Sequence, residues 1–448
     1  MKLNLVFLSL SLLSLCLSPV VQAQKILIKN VKIFNGVEQG TPKGNILIDG
    51  NRIVSITPQP ISSDEVSVTI DGQGKYLIPG LIDAHTHITM EGISFMEGKD
   101  MDVVTKNLIA TRAAKERLLR GFTTLRNMGG NAIPLAKAID KGIVEGPRIF
   151  PSGAIISQSG GHGDAGAYTA VPRTPMDLSY AERNGEYAIA DGVGEVLKRS
   201  REQLRQGATQ LKLMAGGGVA SEYDPIDVAQ YTVEEFRAAV SAADNWGTYI
   251  GVHVYTPQAI QTAIEGGVKS IEHGNLMDEE TAELMAKRGI WWSAQPFMDD
   301  QDNYPGRFPE GTFKDQKMKT VWQGTDQAYK LAKKYGVKTA FGTDIVGSPE
   351  LAPKAGKVLA KLKKWYTPYE ILKMATSSNA ELLQMSGPRN PYPEGKLGEV
   401  SEGAYADLII VDGNPLENID LVADPERYFL LIMKDGKIYK NTLESLQD

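Results

Sequence analysis

Between Leu81 and Asp344 the chain alternates short apolar segments with longer charged segments that have helical periodicity. Eight apolar segments follow one another: LIDAHTH, TTLRNM, RIFPSG, QLKLMAG, YIGVHVY, SIEHG, IWWSAQP and KTAFGTD. Eight strand–helix units in one continuous stretch predict an α/β fold, a (β/α)8 TIM-like barrel. Because functional side chains of such barrels lie at the carboxyl ends of the strands, the search for chemistry narrows to those positions.

The segments that flank this stretch have strand patterns joined by tight turns. KILIKNVKIF, NILIDGNRIVSIT and VSVTIDGQGKYLIP lie before it, and ADLIIVDGNP and YFLLIMKDGKIYK lie after it. We expect both ends to form one small β-sandwich domain, residues 24–79 plus 390–448, beside a catalytic barrel of residues 80–389. Within the barrel, the polar stretch 299–319 is expected to be a long loop that covers the site.

Residues 1–23 have the pattern of a secretory signal peptide. Lys2 precedes an apolar run over residues 5–17, and the segment ends in the small-residue sequence VQA at Ala23. The run is shorter than the roughly 20 residues that span a bilayer, so we expect cleavage after Ala23 and no stable membrane anchor. Cys16 lies inside the run, which leaves lipidation as a minor alternative. A mature chain without thiols suits a periplasm or the cell exterior.

The net charge of the chain limits the classes of partner that it can bind. The chain carries 48 basic and 54 acidic residues, a formal net charge of −6. It therefore lacks the basic footprint that a nucleic-acid backbone requires, and nucleic acid is excluded as a partner.

Histidines mark the predicted strand ends. Four of the five in the chain, His85, His87, His253 and His273, lie at or near such ends. In HTH at 85–87, the two-residue period of a strand directs both imidazoles to one face, so both can bind one metal ion. Four unrelated structural histidines would have to reach the same face of one barrel by coincidence. The pattern therefore predicts a metal site.

Two charged residues extend this site. Lys212 lies in the apolar strand QLKLM and points either into the barrel or into the helix layer. A buried ammonium needs a partner or a chemical modification, and a lysine that extends to solvent is the alternative. Asp344 closes KTAFGTD at a strand mouth, where a carboxylate can bind a metal ion and accept a proton from water. Its alternative role is to cap the following turn.

These residues, in this order and with GLIDAHTH at 80–87, resemble the amidohydrolase superfamily. The pattern G-x-x-A-D-L-x-x-x-D-x-x-P at 403–415 is similar as well, and the resemblance extends over nearly all of the chain that follows the signal peptide. The branch that the chain resembles is the imidazolonepropionase-like and prolidase-like group. This group includes Xaa-Pro dipeptidases, N-acyl amino acid hydrolases and ochratoxin-hydrolysing amidohydrolases.

The resemblance implies two divalent metal ions with the ligands His85, His87, Lys212, His253, His273 and Asp344. The first two histidines and the aspartate would hold one ion, and the other two histidines the second. The lysine would bridge the ions after carboxylation by carbon dioxide. Nitrogen and oxygen ligands without thiolate suit zinc, while manganese, cobalt and iron stay open as alternatives.

A mechanism follows from such a site. Two cations make hydroxide available from a bridging water near neutral pH and polarise the substrate carbonyl. Asp344 then serves as the proton shuttle: it accepts a proton as the metal-bridging hydroxide attacks and returns it to the leaving amine.

Three further residues are candidates for contact with substrate. His162 lies in the glycine-rich segment SQSGGHGD after the third strand, and the resemblance implies that this loop approaches the substrate, in a catalytic or a binding role. Tyr255 follows His253 by two residues and shares its face. Tyr231 precedes a predicted helix and reaches the pocket only if its loop folds inward.

The expected function is that of an exported metal-dependent hydrolase of a small-molecule amide or peptide. The scissile bond joins a C-terminal amino acid, as in a dipeptide, an Xaa-Pro substrate, an N-acyl amino acid or an ochratoxin-like compound. Hydrolysis of cyclic amides, lactones or phosphoesters remains an alternative. So do a mononuclear deaminase, which would not need Lys212, and a non-catalytic binding barrel, which would not need Asp344. The resemblance also implies a homo-oligomer.

Overall fold

A computed structural model of the protein describes residues 25–62, 66–174, 176–298 and 308–443. The predicted signal peptide, residues 1–23, lies outside the described residues, as does part of the segment that was expected to cover the site. Within the described residues, no helix combines the length and the apolar character needed to cross a membrane.

The strands, numbered in chain order, are β1 (Lys25–Ile33), β2 (Lys43–Asp49), β3 (Arg52–Thr57), β4 (Val68–Asp71), β5 (Tyr76–Pro79), β6 (Leu81–Thr86), β7 (Phe122–Asn127), β8 (Arg148–Pro151), β9 (Ile155–Ser157), β10 (Tyr187–Ile189), β11 (Leu211–Met214), β12 (Ile250–Val254), β13 (Ser270–His273), β14 (Trp291–Ala294), β15 (Lys338–Phe341), β16 (Leu408–Val411), β17 (Phe429–Lys434) and β18 (Lys437–Asn441).

The α-helices are α1 (Phe95–Asp100), α2 (Val103–Leu119), α3 (Ile133–Asp140), α4 (Tyr180–Arg183), α5 (Gly192–Gln206), α6 (Val233–Asn245), α7 (Pro257–Glu265), α8 (Glu279–Arg288), α9 (Phe313–Tyr335), α10 (Ala355–Ala360), α11 (Pro368–Lys373), α12 (Asn379–Gln384) and α13 (Pro425–Tyr428). Shorter 3-10 segments span Ala352–Lys354, Lys361–Lys364, Gly387–Arg389 and Ile419–Ala423, and a π-helical turn spans Met374–Ser378.

Strands from the two ends of the chain pair in one eight-stranded sheet. Its order is β18-β17-β16-β5-β1-β2-β3, and β4 pairs with β1. The ends meet where β5 pairs antiparallel with β16, which sets Ile78 opposite Ile409. Alternate residues of β2 are buried, as expected for a strand with one face against a core. Ile46 and Ile48 from this face pack in one apolar cluster with Leu408 and Leu431 from the other end of the chain.

The central region is a barrel of parallel strands. β6, β7 and β8 pair in that order, and β10-β9-β11-β12-β13-β14-β15 form the second group. Backbone hydrogen bonds join the groups on both sides, from Thr209 N to Pro151 O (2.8 Å) and from Asp344 N to His85 O (2.8 Å). All eight predicted apolar segments contain a strand, and the predicted α/β barrel fold is confirmed.

One expectation about a loop was wrong in part. The polar stretch up to residue 319 was expected to lack helical structure, yet α9 begins at Phe313. The Thr312 side chain accepts a hydrogen bond from Asp315 N and so caps the helix. A polar side chain near the start of this helix has partners within the fold: Lys317 donates to the carbonyls of Ser221 (2.9 Å) and Asp224 (3.1 Å). The polar residues at the start of α9 contact other parts of the fold, so their polarity does not indicate a loop.

Arg148 ties the barrel to the terminal sheet. Its buried guanidinium, on β8, donates hydrogen bonds to Asp407 and Asp435, which flank β16 and β17. The same group lies 4.1 Å from the ring centre of Tyr405. Two carboxylates and an aromatic face therefore compensate one buried cation at this contact.

Candidate active site

His85 and His87 are positioned by hydrogen bonds through Nδ1. His85, at the end of the fully buried strand β6, has its Nδ1 2.8 Å from Oε2 of Glu272. His87, just beyond the strand, has its Nδ1 3.3 Å from the Gly129 carbonyl oxygen. Because these oxygens accept the Nδ1 proton, Nε2 is the nitrogen of each ring that is left to bind a metal ion.

Both Nε2 atoms face the carboxylate of Asp344. Oδ1 of Asp344 lies 3.5 Å from Nε2 of His85 and 3.2 Å from Nε2 of His87. The three potential ligand atoms lie within 4.8 Å of one another, and Nε2 of His85 has no hydrogen-bond partner among the described residues. Three converging electron pairs repel one another unless a cation lies between them, so this donor set fits a divalent metal ion.

Asp344 is held by its backbone. It follows β15 with a φ of +50°, and its N–H donates to the carbonyl of His85. Burial disfavours its negative charge, yet the positive charge that the imidazoles of His85, His87 and His273 can carry holds the pKa of Asp344 well below its usual range. The carboxylate is therefore ionised, as a metal ligand and a proton acceptor must be.

His253 and His273, on β12 and β13, bring two further neutral imidazoles. His253 donates through Nε2 to the Gly217 carbonyl oxygen (3.1 Å), and Nδ1 of His273 lies 2.7 Å from Oε1 of Gln295. Their ring centres are 4.5 Å apart, and His273 is 5.0 Å from His85. Burial holds the pKa of both rings well below the usual value, so they have the neutral form that binds metal.

Lys212 points into the barrel, because it is only 1% exposed and the interior charges of Glu272 and Asp344 act on it. It does not extend to solvent. Burial lowers the pKa of Lys212 to about 8, against the opposing influence of those two carboxylates. Burial and the charge of Lys212 in turn lower the pKa of His85 to about 4. The charge of Lys212 also acts on His253 and His273, so the lysine lies in the same electrostatic environment as these three histidines.

The three predicted substrate contacts have different surroundings. His162 stacks on His253 with ring centres 4.1 Å apart, and the Tyr255 ring is 5.0 Å from His253 and 5.3 Å from His273. Tyr231 is buried, and its hydroxyl donates to the carbonyl of Ala190 (3.0 Å). The structure thus brings His162 and Tyr255 to the histidine cluster, whereas the Tyr231 hydroxyl is engaged within the fold.

The model of the amidohydrolase family matches residues 76–439, most of the chain. The chain belongs to the amidohydrolase family. Members of this family are generally metal-dependent, and His85, His87 and Asp344 form a candidate metal site in this amidohydrolase.

Relatives place the amidohydrolase in the prolidase-like branch. Ochratoxinase from Aspergillus niger is 33% identical over 378 residues, which cover 81% of this chain and 75% of that protein. A solved prolidase complexed with N-methylphosphonate-L-proline is 32% identical with a TM-score of 0.84, covering 93% of this chain and 100% of that one. A solved Xaa-Pro dipeptidase with bound methionine is 30% identical with a TM-score of 0.79 and the same coverage. The amidohydrolase is therefore a hydrolase that acts on amide C–N bonds.

Two residues that position the candidate metal ligands were not predicted from the sequence. Glu272, which precedes His273, receives two hydrogen bonds from Arg126 (2.7 and 2.9 Å) as well as the contact with His85. Burial opposes its charge, but Arg126 holds the pKa of Glu272 far below its usual range. A carboxylate thus fixes the orientation of the His85 ring in the amidohydrolase.

Asp83 is a second missed residue. It lies two positions before His85 in β6 and accepts hydrogen bonds from the backbone N–H of His85 (3.1 Å) and of Thr343 (3.0 Å). Asp83 therefore connects the strand of His85 to the residue that precedes Asp344. Asp83 could have been found from the sequence, because residues 83, 85 and 87 alternate along one strand and therefore share a face.

Proposed function

We propose that this amidohydrolase is an exported binuclear metalloenzyme that cleaves the amide bond to a C-terminal amino acid. Substrates of this class include dipeptides, Xaa-Pro peptides and N-acyl amino acids, ochratoxin-like compounds among them. The observation that carries the proposal is the convergence of Nε2 of His85, Nε2 of His87 and the Asp344 carboxylate. Similarity to ochratoxinase and to an Xaa-Pro dipeptidase supports the substrate class.

The proposed metal ligands are His85, His87, Lys212, His253, His273 and Asp344, with zinc as the preferred ion. Ions bound there supply Lewis acidity toward a carbonyl oxygen and lower the pKa of a water molecule. An ammonium among these ligands would oppose cation binding. Attack of the neutral Lys212 amine on carbon dioxide, with release of one proton, gives a carbamate and replaces the cation by an anion. The charge of the site then suits two divalent cations.

Asp344 is the proposed proton shuttle. Its side chain is 15% exposed, more than those of His85, His87 and His273, so it lies on the side of the site that a substrate reaches. Its ionised carboxylate takes the proton of the attacking water and delivers it to the leaving nitrogen, which then departs as a neutral amine. His162 and Tyr255 border the same cluster and are the proposed substrate contacts.

The test is an amine-release screen of mature protein loaded with zinc and bicarbonate. Its substrates are dipeptides and N-acyl amino acids that differ at the C-terminal residue, each paired with the same compound carrying a C-terminal carboxamide. We expect cleavage of the free acids and little cleavage of the carboxamides. A protein that holds two metal ions per chain and cleaves neither set would overturn the proposal, and lactones, cyclic amides and phosphoesters would be tested next.

Chelation is expected to abolish this activity. Removal of the ions leaves the electron pairs of His85, His87 and Asp344 facing one another without a cation. Addition of zinc with bicarbonate should restore the rate, and bicarbonate should matter only if Lys212 is carboxylated. A rate that survives at less than one tenth of the original metal content would contradict metal dependence.

Export and self-association are further parts of the proposal. The apolar run and the VQA sequence support removal of residues 1–23, and intact-mass measurement of exported protein should show a chain that begins at Gln24.

Met96, Val104 and Leu108, on α1 and α2, are exposed apolar residues that support a homo-oligomer. Light scattering of the purified protein tests this, and a monomer would contradict it.

A further inference from the structure

Residues of a second loop, between β11 and α6, hold His162 in place. Nδ1 of its ring lies 2.8 Å from the hydroxyl oxygen of Ser221 and 3.5 Å from Oδ2 of Asp224. Its backbone N–H donates to Oε1 of Gln230 (3.2 Å). In return, Gln158, from the loop of His162, accepts a hydrogen bond from the backbone N–H of Tyr231 (2.8 Å). Two loops that follow different strands are thus joined around the imidazole.

The hydrogen bonds around Ser221 fix the direction of the ring proton. The Ser221 hydroxyl donates to the carbonyl of Gly218 (3.0 Å), so its oxygen is the acceptor toward His162. Asp224 supplies a second acceptor on the same side, and this carboxylate also accepts the N–H of Gly218 (2.7 Å). Nδ1 of His162 therefore carries a proton, and Nε2 is the nitrogen that remains for a bound substrate.

Asp224 is rigidly placed for this task. It is only 2% exposed, and Lys317 on α9 donates to its backbone carbonyl and to that of Ser221. Because the carboxylate is buried and accepts the N–H of Gly218, it cannot turn away from the ring without losing that hydrogen bond.

Gly218 completes what we call the clamp, the set of contacts from Ser221, Asp224 and Gly218 that holds the His162 ring. A Cβ atom at this position would lie 1.9 Å from the Cε1 and Nδ1 atoms of His162, so the ring occupies the space of a side chain. The ring also stacks on His253, with an angle of 20° between the planes. His162 thus packs against both a proposed metal ligand and the backbone of residue 218.

We propose that Ser221 and Asp224 are positioning residues that orient His162, with its Nε2 directed to the substrate. This rests on the proposed function, in which His162 contacts the substrate. Neither residue touches the proposed metal ligands in this role. Their effect on catalysis passes through His162, and measurement of metal content separates it from an effect on His253 through residues 217 and 218.

A double-mutant cycle tests the proposal with amide hydrolysis as the readout. Asp224→Ala should lower kcat/KM roughly 10- to 100-fold, the usual effect of removing a partner that orients a functional histidine. In a His162→Ala background the same substitution should cause no further loss. Asp227→Ala, at an exposed aspartate three residues along the same loop, is the matched control and should behave like the wild type. Equal losses from Asp224→Ala in both backgrounds would overturn the proposal.

Gly218→Ala gives an independent test of the clamp. The glycine does not have a positive φ, so alanine fits the backbone, and the three atoms nearest to its Cβ all belong to the His162 ring. We expect Gly218→Ala to lower kcat/KM as much as His162→Ala does, and to have little effect once His162 is alanine. A full loss in the His162→Ala background would show that residue 218 acts independently of the ring.

Two measurements keep this proposal separate from the proposed function. Metal content should be the same in the wild type and in Asp224→Ala. In protein labelled with 15N-histidine, the five histidines permit assignment of His162 by the signals that His162→Ala loses. We expect a protonated Nδ1 in the wild type and loss of this state when both acceptors are removed, in Ser221→Ala/Asp224→Ala, even if no amide is cleaved. An unprotonated Nδ1 in the wild type would overturn the clamp, whereas absent hydrolysis would overturn the proposed function only.

Discussion

Replacing Asp344 with asparagine is expected to lower kcat for amide hydrolysis by roughly 10²- to 10⁴-fold, the contribution of a well-placed general acid–base. Asparagine has the same shape, and its carbonyl oxygen can still bind a metal ion facing His85 and His87. An amide cannot accept the proton of the attacking water or return it to the leaving amine. Turnover should therefore fall much more than metal content, and paired measurements of kcat and metal per chain check this.

His87→Ala is the comparison variant for this experiment. It removes a proposed ligand and leaves the carboxylate of the proposed shuttle in place, so metal content should fall along with activity. If Asp344→Asn instead loses metal as completely as His87→Ala does, Asp344 acts mainly as a ligand. If Asp344→Asn keeps most of its turnover, the shuttle is another group.

The barrel and the histidine positions could be predicted from the sequence because both depend on local periodicity. Parallel strands buried on both faces give continuous apolar runs, and such runs are visible at β6, β11 and β12. The carboxyl ends of the strands then meet at one face, so His85 and His253 could be expected near one another although 168 positions separate them. β9 and β10 were not predicted, since three residues are too few for a period to show.

Partners of buried charges could not be predicted in the same way. Glu272 and Arg126 are 146 positions apart, and Arg117 and Thr343 are 226 apart. Nothing in a local pattern pairs one buried charge with another at that distance. The clamp on His162 could not be predicted for a related reason. Ser221 and Asp224 lie in a loop whose backbone carbonyls accept hydrogen bonds from Lys317, and Lys317 was predicted to lie in a different loop.

A large effect on stability is expected at Arg117 on α2. The guanidinium is fully buried and donates to Glu91 (2.7 Å), Asp83 (3.3 Å) and Thr343 (3.0 Å). Arg117→Met fills similar space but leaves two buried carboxylates without their cation. We expect the free energy of unfolding to fall by about 3–5 kcal/mol, measured by urea denaturation. Arg112→Met, at an exposed position on the same helix, should change it by no more than about 0.5 kcal/mol.

Arg117→Met should lose activity as well as stability. Asp83 holds the backbone N–H of His85 and of Thr343, the residue before Asp344, so an unpaired Asp83 that shifts or becomes protonated disturbs both sides of the proposed metal site. Arg117→Lys keeps the charge, but one ammonium lacks the planar fork that meets three acceptors, and its loss should be intermediate. If Arg117→Met unfolds at the same urea concentration as Arg112→Met, these buried charges do not stabilise the barrel, and the positioning of the proposed metal ligands must have another origin.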